Sequence, residues 1–434
     1  MNCFMSARFD VVVIGAGAAG LLAATRAAEL GRSVLLLEKN GRPGVKILMS
    51  GGTRCNITQA VDSRGISDAF GDQGRFLHSP LAALPPDAVV EMVEAEGVPT
   101  KIESTGKVFP ASDKAADVLG AFLRRLERSG ATLALGEPVV DLDREEDRFR
   151  IATPSRTIST GAVVVTTGGQ SYPGCGTTGD GYHWLQRLGH TIVPPRPSLT
   201  PIKTRADWAK SLRGLTLADV VVRVVEVGGG QASPSRGSSG RKGSTRGVLA
   251  ERRGGLLFAH FGLSGPAALD VSRFISLHPR PRSLELVCDF LPDTTAQSLA
   301  DELQRLASSQ GKKQVAVLLA DRLPRRLVDA LLQQVDMPAE RRAAELSREN
   351  RTALVEAVKQ TRIPITGTLG FEKAEVTTGG VALDEVDSST MQSKRVPGLF
   401  LAGEILDLDG PIGGYNFQAA FSTGHLAGEA AAAI

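Results

Sequence analysis

The chain has 434 residues, enough for two or three domains of about 150 residues each. Hydrophobic residues make up 42% and charged residues 22%, ordinary for a globular protein, and a net charge of only +3 argues against nucleic acid or a membrane as the default partner. The four cysteines, Cys3, Cys55, Cys175 and Cys288, form no CxxC pair, which argues against a disulfide framework or a zinc site. No apolar signal core precedes the first strand and no run of about 18 apolar residues follows, so a reduced, cytoplasmic location is expected.

In chain order, residues 9–14 (FDVVVI) read as a buried strand and residues 15–20 as a glycine turn. Residues 18–30 form an Ala- and Leu-rich helix that stops at Gly31, where a left-handed residue is wanted. Residues 33–37 are a second strand closed by Glu38, so the first ~30 residues of this run make one parallel crossover unit. Residues 41–58 look like loop. Residues 113–129 carry Val118, Leu119, Phe122, Leu123 and Leu126 on one helical face, with Ser112 as N-cap and Gly130 as stop. Short strands alternate through residues 131–151, and residues 162–166 form another buried strand before Thr167 and Gly168.

The character changes near Pro194, where a proline-rich stretch suggests a domain crossing. Residues 202–290 are β-rich. Within them, the Gly/Ser-rich segment 228–247 carries Arg236, Arg241, Lys242 and Arg246 and reads as a solvated hairpin tip. Residues 294–360 are charged and helical in pattern. After Pro364 the chain is again glycine-rich, with a buried strand at 399–402 and an Ala-rich final helix at 418–433.

The ends of the chain carry the chemistry. Gly15-Ala16-Gly17-Ala18-Ala19-Gly20 follows a strand and opens a helix, and Glu38 stands ~20 residues further on. Gly15 makes the tight turn, Gly17 lets a pyrophosphate approach and Gly20 lets helix and strand pack closely. The helix N-terminus offers N–H groups to the phosphates, and Glu38 suits a ribose. An acid at this position does not by itself separate FAD from NAD. The segment from Lys46 to Asn56 (KILMSGGTRCN), with its small residues and donors, suits a long extended cofactor. No second strand–GxGxxG–helix unit is present for a resident nicotinamide cofactor.

The run GAGAAG…LLLEKNGRPGVKILMSGGTRCN resembles the two-dinucleotide-binding-domain flavoproteins. With residues 108–115 (VFPASDKA), HFGLSGPAALDVSR at 260–273 and the C-terminal TTGGVALDEVDSS…GEILDLDGPIGGYNFQAAF, it is similar more narrowly to the bacterial FAD proteins of the aminoacetone-oxidase-like and 3-dehydro-bile-acid Δ4,6-reductase-like (BaiN/YhiN-type) family. The resemblance implies an α/β fold, with a Rossmann-type FAD domain made from both chain ends, an inserted β-barrel-like domain and a small helical region. The expected limits are 1–193 and 364–434 for the FAD domain, 194–293 for the β-rich insert and 294–363 for the helices. It also implies FAD contacts at Gly15, Ala16, Gly17, Ala19, Gly20, Glu38, Lys39, Lys46, Ser50, Gly51 and Asn56. Further contacts are implied at a strand near Val139, at Thr167 and Gly168, at Gly403 and Glu404, and at Gly414, Tyr415 and Asn416. Glu404 stands where the superfamily usually has Asp, so Asp407 or Asp409 could share its role.

Other residues invite sharper readings. Cys55 and Cys175 border the expected flavin loops, but neither has a second Cys nearby in sequence, which favours packing over redox chemistry. Gly262-Leu263-Ser264-Gly265-Pro266 fails the nucleophile-elbow pattern because Pro266 replaces its last glycine; Ser264 is instead expected to cap a helix. His260, Tyr172 and Tyr415 are the candidate acid–base residues.

The resulting expectation is an FAD-dependent oxidoreductase. It would exchange hydride between flavin N5 and a small or medium organic substrate, at the meeting of the FAD domain and the insert. Reduction of an activated C=C bond, with NAD(P)H as transient donor, is one form of that reading and amine oxidation another. A flavin-dependent RNA-modifying protein and a non-catalytic redox module are the rivals, and the net charge weighs against the first of these.

Overall fold

The computed structural model describes residues 8–227 and 247–434. The chain divides into two compact units, Met1–Pro197 with Ala374–Ile434, and Ser198–Lys373. Each has its own hydrophobic core.

The first unit begins with β1 (Val11–Ile14), α1 (Ala18–Glu29) and β2 (Val34–Glu38). It continues through α2 (Val45–Thr53), β3 (Thr58–Gln59), α3 (Ala115–Ser129), β4 (Thr132–Leu135) and β5 (Ala162–Val165). After the insert come β6 (Val376–Val381), β7 (Leu399–Leu401) and α4 (Tyr415–Ala432). The central sheet runs β7-β5-β1-β2-β4, every pair parallel. Val12 lies between Leu35 and Val163, and Val164 pairs with Phe400, so the two chain ends share one sheet. β1, β2 and β5 are buried at every residue, which explains their unbroken apolar runs: a parallel sheet covered on both faces has no wet side to alternate toward.

Two local expectations are corrected. Residues 41–58 are not all loop: α2 forms there with Ile47 buried, then turns over left-handed at Gly51 (φ +56°), Gly52 (φ +67°) and Thr53 (φ +70°). Paired glycines make that reversal cheap. The N-cap of α3 is Lys114 rather than Ser112, because Asp113 at φ +55° turns the chain between Ser112 and the helix. Gly130 does end the helix in the left-handed region.

The second unit is a closed barrel. Its strands run, around the barrel, Ile202–Thr204, Gly262–Ser264, Val248–Ala259, Thr216–Glu226, Leu284–Asp289 and Thr361–Thr368. Helices Ala296–Ser309, Val315–Ala320, Arg325–Gln334 and Arg348–Lys359 add to the same core. The last crossing therefore falls after Lys373, not at Pro364. Pro364 stands inside a barrel strand opposite Glu285, and its carbonyl accepts from Thr204 Oγ1 at 2.6 Å. Ser264 does not cap the helix Pro266–Leu277; Gly265 (φ +88°) is the N-cap, and Pro266 opens the helix where its missing N–H does no harm. The basic segment 228–246 lies outside the described residues. Among the described residues no helix is long and apolar enough to cross a membrane.

Candidate functional site

The three glycines of the first turn do different jobs. A Cβ at Gly15 (φ +101°) would lie 2.8 Å from Thr166 O, and one at Gly20 would lie 1.8 Å from Gly15 O. The fold itself therefore requires both. A Cβ at Gly17 would meet nothing within 4 Å, although Gly17 is the N-cap of α1. No side chain caps α1 and no acid stands in its first turn, so its N–H groups and dipole face open space suited to a phosphate.

Glu38 is buried and held in place. Ala16 N donates to its Oε2 at 2.8 Å, while Asn40 N and Nδ2 donate to Oε1 at 2.9 and 2.8 Å. Gly136 N donates to Asn40 O and Glu137 N to Glu38 O, which pins the connection carrying Val139 beside the end of β2. Val139 lies in that connection rather than in a strand, half-buried against the core. Lys39 turns away: its ammonium donates to Thr178 Oγ1 and Asp180 Oδ2, both at 2.6 Å.

Further along the sheet edge, Lys46 Nζ donates to Glu404 Oε2 and Ser171 Oγ at 2.6 Å each. Ser171 Oγ and Thr377 N donate to Glu404 Oε1 at 2.6 and 2.8 Å. Thr377 Oγ1 in turn accepts from Gln170 N and Ser171 N. Lys46 and Glu404 were expected here, 358 residues apart in the chain; Ser171 and Thr377 were not. Nothing local marks those two residues, because only the return of β6 to the first unit brings them together. Asp409 is buried and accepts from Thr378 Oγ1 at 2.7 Å, and Asp407 Oδ1 accepts from Gly379 N at 3.0 Å, so both acids hold β6. Gly403 N donates to Thr423 Oγ1 of α4 at 3.0 Å.

Two expected contacts carry buried side-chain oxygens without a hydrogen-bond partner among the described residues, Asn56 Oδ1 and Thr167 Oγ1. Such groups are costly unless something else bonds them. Gly51 and Gly168 (φ +72°) flank them in left-handed backbone, whereas Ser50 Oγ donates locally to Ile47 O at 2.8 Å. Gly414 (φ +93°) is the N-cap of α4, and a Cβ there would lie 2.6 Å from Thr58 C. Asn416 Oδ1 accepts from Gly410 N, and its Nδ2 donates to Gly410 O and Pro411 O, so this side chain clamps the preceding loop. Tyr415 is half-buried, and Tyr172 sits at φ +55°. His260 belongs to the barrel unit, exposed at a strand turn and edge-on to Phe261 at 5.0 Å.

The cysteines behave as packing. Burial pushes the Cys55 thiol up to about 12, and burial also raises Cys175, whose Sγ lies 3.1 Å from Met49 Sδ. A thiol held protonated is a poor nucleophile. Tyr182 is raised as well, by burial first and then by Glu404 and Asp407.

These features fit FAD: an uncapped glycine turn, a buried acid held at the end of β2, orphaned oxygens further along, and a second uncapped helix at α4. Gly15, Gly17, Glu38, Asn56, Thr167 and Glu404 would hold it. The family model described as the HI0933-like protein Rossmann domain matches residues 9–430. The chain is 33% identical to a ribosomal RNA dihydrouridine synthase of Escherichia coli, over 96% of each chain. It is 30% identical to the protein of that name from Haemophilus influenzae, over 97% of this chain and 98% of the relative. It is also 31% identical to a 3-dehydro-bile acid delta(4,6)-reductase of Clostridium scindens, over 97% of this chain and 98% of the relative. The chain thus belongs to the HI0933-like Rossmann family and is an FAD-dependent oxidoreductase.

Proposed function

We propose that this protein reduces a carbon–carbon double bond conjugated to a carbonyl group, and that its substrate is a uridine within RNA. The names of its relatives point to one chemistry on two substrates. In uracil the C5=C6 bond is conjugated to the C4 carbonyl; in a 3-oxo steroid diene the double bonds are conjugated to the C3 carbonyl. FAD, when bound, supplies hydride at N5, and NAD(P)H is the proposed transient donor. The carbon next to the carbonyl then takes a proton, for which Tyr172, Tyr415 and His260 are the candidate donors.

The observation that favours RNA over a free small molecule is the distribution of charge. The net charge of +3 is the sum of two units of opposite sign. Residues 198–373 hold 27 Lys and Arg against 18 Asp and Glu, a balance of +9; the rest of the chain holds 23 against 29, a balance of −6. On the second unit, Lys312, Lys313 and Arg342 are exposed and, among the described residues, no carboxylate pairs with their side chains; their segments are joined by Ala343 N donating to Lys313 O at 2.9 Å. Unpaired cations suit a phosphate backbone.

The test is to incubate the protein anaerobically with NADPH or NADH and an unmodified ribosomal RNA transcript, then digest the RNA and look for nucleosides that have gained two hydrogens. Dihydrouridine formation supports the reading, and Lys312→Glu with Lys313→Glu should weaken RNA binding and flatten its salt dependence. Reoxidation of the flavin by a conjugated steroid ketone but not by RNA would favour the second reading, a small-molecule reductase. The 31% identity to the bile acid enzyme keeps that reading in view.

A further inference from the structure

Gln59, at the end of β3, has a side-chain amide whose orientation is fixed. Its Nε2 donates to Thr105 O at 2.7 Å. Glycines of positive φ lie at each end of it: a Cβ at Gly106 (φ +79°) would come within 2.3 Å of Nε2, and one at Gly413 (φ +134°) within 3.3 Å of Oε1. Oε1 is buried and has no hydrogen-bond partner among the described residues, in a residue only 9% exposed. Gly413 immediately precedes Gly414, the N-cap of α4. No side chain caps α4, and no acid stands in its first turn. A lone buried acceptor therefore sits beside the donor end of an 18-residue helix.

An amide oxygen can only accept, so the missing partner must donate. A phosphate or carboxylate would satisfy the helix but would face Gln59 with a second acceptor. The matching ligand edge carries an N–H next to a carbonyl: the N–H meets Oε1 and the carbonyl meets the helix N-terminus. We propose that Gln59 and the N-terminus of α4 form a recognition site for such an imide edge. Two sources share that chemistry, the pyrimidine ring of a flavin and the uracil ring of a uridine. The first rests on the cofactor of the family, the second on the function proposed above.

Methylation at N3 removes the donor from either ring and tests the site in the wild-type protein. Cofactor-free protein is titrated with FAD and with N3-methyl-FAD, following flavin fluorescence. If the flavin is the ligand, the methylated form binds at least ~10-fold more weakly, and Gln59→Met, checked for folding by circular dichroism, brings the two within about twofold by weakening FAD. If uracil is the ligand, the two flavins bind alike, and a transcript containing 3-methyluridine is refused by the wild type while Gln59→Met lowers turnover on the unmodified RNA. Equal binding of both flavins, with no discrimination between the two RNAs, would overturn the proposal. A wild type that reduces no RNA sinks the functional reading alone, and the flavin titration then decides the role of Gln59.

Discussion

The two units close their cores by different means. In the first, backbones touch: a Cβ at Gly424 of α4 would lie 2.2 Å from Ala19 O of α1, and one at Gly428 would lie 2.2 Å from Ala23 O. In the second, aliphatic side chains such as Leu286, Leu327 and Leu354 fill the space, and a buried ion pair joins helix to barrel. Lys359 Nζ lies 2.7 Å from Asp289 Oδ2 and also donates to Leu291 O and Thr294 O. A unit that binds an extended cofactor needs helix ends at fixed positions, and contact between backbones allows little play. A side-chain core tolerates exchange as long as volume is kept.

That contrast predicts where substitution hurts most. Gly424→Leu should be the most damaging, because the added atoms meet the backbone of α1. A loss of at least ~4 kcal/mol, or no folded protein, is expected in thermal melts. A methionine at the barrel position Leu327 should be mild by comparison, within ~1.5 kcal/mol. If Gly424→Leu melts like the wild type, the distinction between the units fails. Next comes Lys359→Met, which strands the Asp289 carboxylate and should cost ~3 kcal/mol; adding Asp289→Leu should recover most of that, since two apolar residues can replace a buried pair. A double variant as weak as the single one would mean that the ammonium's bonds to Leu291 O and Thr294 O are what hold the helix.

The same contrast explains what the sequence reveals. Gly15 and Gly20 are readable because no other residue type fits, and the buried parallel strands are readable because both of their faces are apolar. From its own residues the barrel was legible only as β-rich; the family resemblance is what implied a barrel-like insert. Its closing strands Ile202–Thr204 and Gly262–Ser264 are three residues each, too short for a period, and Pro364 looks like a boundary although it sits in a strand. The cluster of Lys46, Ser171, Thr377 and Glu404 was half-legible: the two charged members stand in motifs, while the two hydroxyl residues owe their place to tertiary return of the chain. Gln59 escaped notice altogether, since an orphaned acceptor is a property of its surroundings.

Gly17 separates fold from ligand. Its Cβ position is open, so Gly17→Ala should leave the melting temperature of cofactor-free protein within about 1 °C, a surface-like ΔΔG. It should nevertheless weaken FAD by ~100-fold, about 2.7 kcal/mol, by crowding the pyrophosphate. Gly17→Glu, which adds negative charge, should abolish flavin binding. Glu404→Ala should likewise weaken FAD retention more than Cys55→Ala, because Cys55 is a packed thiol and Glu404 sits in the polar cluster. The reverse ranking, read from flavin absorbance after gel filtration, would mean that Glu404 is not an FAD contact.

The smallest effect comes from acid, and it belongs to the first unit. His425 lies on α4, its Nδ1 buried without a partner among the described residues and its Nε2 3.8 Å from Glu429 Oε2. Burial, followed by repulsion from Arg26, lowers it from 6.5 to about 4. Glu429 and Glu29 pull the other way, and Arg125 adds to the repulsion. Between those two values the unfolded chain carries a proton that the native chain refuses, so stability falls as pH falls through that window. From pH ~7.5 to ~5 the loss due to this residue should be about 2 kcal/mol. Burial also lowers His190, and its loss has the same sign, so the wild-type curve alone does not isolate His425. Denaturant midpoints for wild type and His425→Gln at the two pH values do isolate it. The variant should lose less stability on acidification, by that amount. Parallel curves would show that the α1–α4 contact accepts a charged imidazole, and so is looser than the backbone contacts at Gly424 and Gly428 imply.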